Sequence, residues 1–141
     1  MLYNHLAYCL LQKRVVIGAA FQEKCALLEV YLDKDDKVVS KELASFGTEE
    51  LSEEDMSINA SCFVHVKAKN GGQDEVFLVT GGENGVAHVW QVSEKSGKWS
   101  VSKVKEFSHH KGPIKSIRAH PSKSWVRQYL HDVYSTTFHV L

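Results

Sequence analysis

Apolar residues along this chain come in short runs, broken at regular intervals by polar or glycine-rich stretches. Residues 6–11 form the first run, Gln12-Lys13-Arg14 a polar break, and Val15-Val16-Ile17 a β-branched restart that ends at Gly18. Further runs cover 25–32, 37–46, 58–66, 75–80, 86–92, 99–107 and 114–119. Each has strand length, and Pro121, which has no N–H to give to a ladder, closes the last. Between 86 and 92 the alternation sets Val86, His88 and Trp90 on one face and Ala87, Val89 and Gln91 on the other. Helical periodicity is scarce, so the pattern predicts an all-β chain of short strands.

The breaks carry turn chemistry. Asn70-Gly71-Gly72 and Ser96-Gly97-Lys98 are turn signals. Gly81-Gly82-Glu83-Asn84-Gly85 predicts a type I′ hairpin, with Asn-Gly supplying the positive φ that such a turn requires. Residues 47–56 differ: Glu49, Glu50, Glu53, Glu54 and Asp55 leave little to bury, which predicts a solvated acidic loop. A partner-binding loop is the sharper alternative.

The runs also repeat. Val16-Ile17-Gly18-Ala19 and Val79-Thr80-Gly81-Gly82 occupy the same place in two successive units 63 residues apart. The 47–56 stretch and the 67–74 loop account for 18 of those residues, leaving a period of 45. That period falls within the roughly 40–45 residues of a WD repeat, a four-stranded propeller blade.

The segment from Phe77 through Thr80-Gly81-Gly82-Glu83-Asn84-Gly85 to Trp90 resembles the middle of such a repeat: a strand, a tight turn, then a strand ending in Trp. Asn84 stands where Asp is usual, and Gln91 follows Trp90 where Asp is common. His109-His110-Lys111-Gly112-Pro113-Ile114 resembles the family's Gly-His junction into the next blade, with His110 as the junction histidine and no glycine before it. The resemblance implies a buried polar chain in which Thr80, Asn84 and Trp90 serve one blade and His110 the next. The junction just before Ile58 holds no histidine, so the network of that unit is short of one member. All four roles are structural.

The order of the units is similar, from about Leu6 to Pro121, to the family of the prolactin regulatory element-binding protein, the endoplasmic-reticulum guanine-nucleotide exchange factor of the COPII-coat GTPase. A Cys25-Ala26-Leu27-Leu28 strand precedes a charged insertion, then the Thr-Gly-Gly to Trp unit, then a His-x-Gly junction. That resemblance implies a partial WD-repeat β-propeller over 1–121, with blades at about 5–46 and 57–107, an acidic insertion at 47–56, the start of a third blade, and a divergent tail over 122–141. It implies action in ER-to-Golgi transport at the cytosolic face of the endoplasmic reticulum, through contacts with a small GTPase. The cation-binding loop and membrane anchor on which that family's activity and location depend have no counterpart in these residues, so no catalytic residue is carried over. The alternative is a WD-repeat adaptor without exchange activity. Propellers close with about 4–8 blades, so two blades and part of a third are expected to be marginal alone and prone to associate.

Composition narrows the classes. The chain has 141 residues, 17 basic and 17 acidic, and a formal net charge of zero. It offers no basic stripe for phosphate backbone and no recognition helix, so no nucleic-acid partner is expected. Hydrophobic residues make up 43% of the chain, enough for a core. No apolar run approaches the roughly 18 residues of a transmembrane helix, and residues 1–11 lack the charge pattern of a signal peptide. Cys9, Cys25 and Cys62 are an odd, widely spaced set, which predicts free buried thiols in a reducing compartment. Asn59-Ala60-Ser61 fits a glycosylation sequon that a cytosolic chain leaves unused.

No motif raises an enzyme reading. The eight histidines and three cysteines lack zinc-ligand spacing, and the histidines read as scattered surface and junction residues. His131, Asp132, Ser135 and His139 have the residue types of a catalytic triad but nothing that assembles one. Gly81-Gly82 to Gly85 has no following Lys-Ser/Thr and reads as a turn, not a phosphate loop. No cofactor or metal is expected.

Overall fold

The computed structural model describes residues 3–11, 14–21, 24–47, 58–67, 72, 74–108, 112–120, 125–131 and 134–139, with side chains over 15–18, 25–47, 58–67, 72, 74–108 and 112–120. Among these residues the chain is all-β, with eleven strands, every pairing antiparallel, and no helix. β1 (Tyr3–Leu11), β2 (Arg14–Phe21), β3 (Lys24–Leu32) and β4 (Val38–Phe46) form sheet one. β5 (Ile58–Val66), β6 (Glu75–Gly82), β7 (Ala87–Lys95) and β8 (Lys98–Phe107) form sheet two. β9 (Ser116–Ala119), β10 (Trp125–His131) and β11 (Tyr134–His139) form sheet three. Strands neighbouring in sequence are neighbours in each sheet, as short turns between antiparallel strands require.

The sheets stack in chain order. β1 lies beside β5 and β5 beside β9, while β4 lies beside β8. Two apolar layers result. Between sheets one and two, Val16, Cys25, Leu27 and Phe46 meet Ile58, Val76, Leu78, Trp90 and Val92. Between sheets two and three, Ala60, Val64, Phe77, Val79, Ala87 and Val89 meet Ile114 and Ile117. Sheet two is therefore covered on both faces. That is why β6 reads as an unbroken apolar run, Val76-Phe77-Leu78-Val79, all of it buried. β7 splits its side chains between the layers, Trp90 and Val92 into the first, Ala87 and Val89 into the second. In β5 an irregularity between Ile58 and Ala60 turns Ile58 into the first layer while Ala60 faces the second.

Two glycines mark close approaches between sheets. A Cβ on Gly18 would sit 3.0 Å from Leu78 Cδ2 of sheet two. A Cβ on Gly81 would sit 2.8 Å from Ile114 Cδ1 and 2.9 Å from Ile117 Cδ1 of the next segment. These are the two glycines that align in the 63-residue repeat. Each lies on the second strand of its sheet, and each receives an aliphatic side chain from the following one. The backbone reinforces the second joint: Gly82 O accepts from Ile114 N at 2.9 Å and from Gly85 N at 3.3 Å.

The turns depart from expectation at one point. Gly85 has φ 79, but Asn84 does not enter the positive-φ region, so the 82–85 turn is not type I′. With Gly85 N bonded to Gly82 O, it is a four-residue turn closed by a left-handed glycine. Asn84 Oδ1 accepts from Val86 N at 3.2 Å, and that local bond favours a conformation other than the one Asn-Gly was expected to take. The pair with both φ positive is Ser96-Gly97, φ 53 and 79, between the partnered Lys95 and Lys98. The tail over 122–141 contributes β10 and β11 to the same sheet as β9, so the third unit extends past Pro121. The acidic stretch lies outside the described residues apart from Gly47.

Candidate functional site

Trp90 and Thr80 meet in the first apolar layer. Leu78 pairs Trp90 and Thr80 pairs His88, so Thr80 is the diagonal neighbour of Trp90 across β6 and β7. The indole N–H donates to Thr80 Oγ1 at 3.0 Å. Trp90 is fully buried and Thr80 nearly so, and in such a place each group depends on the other for its partner. The Phe46 ring from sheet one packs on Trp90, centroids 4.8 Å apart and planes inclined by 58°, a tilted aromatic pairing. The Thr80–Trp90 link thus stands at the seam between two sheets.

His88 sits beside this link. It is 3% exposed, its ring centroid is 6.2 Å from that of Trp90, and Nδ1 lies 3.7 Å from Glu106 Oε2 on β8. This corrects the reading of the histidines as scattered surface or junction residues. The signal was present in the alternation that placed Val86, His88 and Trp90 on one face. Asn84 caps its own turn, and His110 lies outside the described residues.

At the other end of sheet two a groove of roughly 730 Å³ is lined by His65, Asp74, Glu75, Val92, Glu94 and Trp99, among others. Its side chains are largely tied to one another. His65 Nε2 is 3.0 Å from Asp74 Oδ2, and Gln91 Nε2 donates to Glu75 Oε1 at 3.4 Å. Trp99 packs partly against the first apolar layer.

Burial pushes the thiols of Cys25 and Cys62 up to about 12, which keeps them protonated and poorly nucleophilic near neutrality. The side chain of Cys9 lies outside the described residues. Among the described residues no three of His, Cys, Asp and Glu gather as a metal site. Also among them, no helix is long and apolar enough to cross a membrane. Of the triad residue types, His131 falls on β10 and Ser135 and His139 on β11, with side chains outside the described set, as is Asp132. The glycine-rich 81–85 stretch leads into β7, a strand, not into the helix a phosphate loop needs.

No protein-family model matches this chain, and no curated protein sequence matches it.

Proposed function

We propose that the chain is a segment of a WD-repeat β-propeller serving as a protein-binding scaffold. One observation carries this reading. The joint between sheets one and two and the joint between two and three are built at the same repeat position, with Gly18 against Leu78 and Gly81 against Ile114 and Ile117. A repeated joint of this kind is what generates a radial array of blades. The Thr80–Trp90 bond supports it, since it links two of the three residues that the resemblance assigns to a blade's polar chain. In such an array the strands are structural and the loops at the sheet ends meet partners.

The resemblance to the COPII exchange-factor family selects the first partner to try, the small GTPase of that coat, and with it the cytosolic face of the endoplasmic reticulum. The test uses the full 141-residue chain immobilised on a biosensor, with the GDP-loaded GTPase in solution, alongside release of a fluorescent GDP analogue. Binding with faster release supports an exchange factor. Binding without acceleration supports the adaptor. No binding at tens of micromolar removes this GTPase as the partner.

A further inference from the structure

The groove of roughly 730 Å³ opens at the end of sheet two, a sheet that is itself packed on both faces. Strand register sorts its lining. His65 pairs Val76, Val76 pairs Val92, and Glu94 pairs Trp99. Paired residues share a face, and alternation puts these five on the face of sheet two that carries Trp90. Val76 and Val92 are buried and Trp99 packs partly against the same layer, so the floor is apolar. Charged groups stand around that floor. Among the described lining residues Asp74, Glu75 and Glu94 are acidic, against Lys95 and His65. At the rim Asp74 lies 3.0 Å from His65, and Glu75 accepts from Gln91 at 3.4 Å. Glu94 is half-buried and stands across the ladder from the half-buried Trp99, so a carboxylate and an indole are neighbours on one face.

We infer that this groove takes a lysine or arginine side chain from an exposed segment of a partner protein. The charge balance selects the sign. Even with His65 charged, acids outnumber bases by three to two along the lining, which repels an acidic group and attracts a basic one. The floor selects the class. A long basic side chain has an apolar stem and a charged tip. Its stem lies on Val76 and Val92 while its tip meets Glu94 and the face of Trp99, an ion pair and a cation–π contact together. A bare metal cation would gain nothing from the apolar floor, and a neutral apolar side chain nothing from Glu94. The inference rests on the groove and not on the propeller reading, so short peptides test it without reference to any natural partner.

The experiment is a nuclear magnetic resonance titration of the isotope-labelled 141-residue chain with acetylated, amidated alanine peptides. Each carries one central lysine, arginine, norleucine or glutamate. The lysine and arginine peptides are expected to shift the Trp99 indole N–H and the Glu94 amide saturably in the millimolar range. The norleucine and glutamate peptides should leave both signals in place. Glu94→Gln keeps the shape and removes the charge, and should weaken the two cationic peptides roughly two- to fivefold. Trp99→Leu should weaken them as well, and if it disturbs the fold, Glu94→Gln decides alone. Norleucine binding as tightly as lysine, a Glu94→Gln variant that binds the cationic peptides undiminished, or no saturable shift with either of them would each overturn the inference.

Discussion

Thr80 and Trp90 depend on each other, and the cost of separating them falls on whichever is left. Thr80→Val keeps the shape and removes the acceptor of the buried indole N–H, which should cost about 1–3 kcal/mol. Trp90→Phe leaves the threonine hydroxyl behind instead and also shrinks the ring packed on Phe46. The double variant should cost less than the sum of the two, as urea titration would show. The cysteines act through pH. Their thiols ionise near 12 when folded against an ordinary 9.0. Above pH 9 the unfolded chain sheds protons that the folded chain retains, so stability falls as pH rises towards 12, with no effect below 9. The urea midpoint should decline less steeply over that window in Cys25→Ala/Cys62→Ala. The pairing of Thr80 with Trp90 was implied by the WD-repeat resemblance, and the alternation over 86–92 gave only the face of Trp90. For His88 the alternation gave the face it shares with Trp90, but not its neighbour Glu106, which comes from β8 and which no local pattern reveals.

At the scale of elements, strand order followed from apolar runs, and turn geometry did not follow from turn residues. Asn-Gly at 84–85 has the composition of a type I′ turn, yet a side-chain bond to Val86 N and a carbonyl shared with another segment hold Asn84 out of positive φ. Ser96-Gly97, a weaker signal, takes that geometry because the loop between Lys95 and Lys98 has only two residues. Gly97→Ala should therefore destabilise by about 1 kcal/mol through backbone strain alone, since a Cβ there meets nothing within 4 Å. Ser96→Asn should leave stability unchanged or raise it slightly, because Asn tolerates the left-handed region. Thermal melts of the two variants would check both. The extension of the third sheet was illegible for a different reason: β10 and β11 depart from the repeat pattern, while β10 still pairs with β9 and β11 with β10.

The whole molecule is held by its joints. Gly81→Ala would press a methyl group onto Ile114 and Ile117, an overpacking that should cost about 1–3 kcal/mol. Adding Ile114→Val removes the Cδ1 atom nearest that methyl and should recover part of the loss, although Cγ2 at 3.0 Å remains. The non-additivity is measurable in a double-mutant cycle. A glycine in a strand says only that something comes close. The repeat aligned Gly18 with Gly81 but did not say what approaches them; the partner side chains, Leu78, Ile114 and Ile117, depend on how the sheets settle against one another.

The carbonyl of Gly82 serves two amides, one within its own turn and one at the entry to the third sheet. Displacement of that carbonyl would weaken both bonds at once, which couples fraying of the hairpin tip to detachment of the third sheet. The Gly85 and Ile114 amides should then exchange with deuterium at comparable protection factors, although one closes a hairpin turn and the other enters the third sheet.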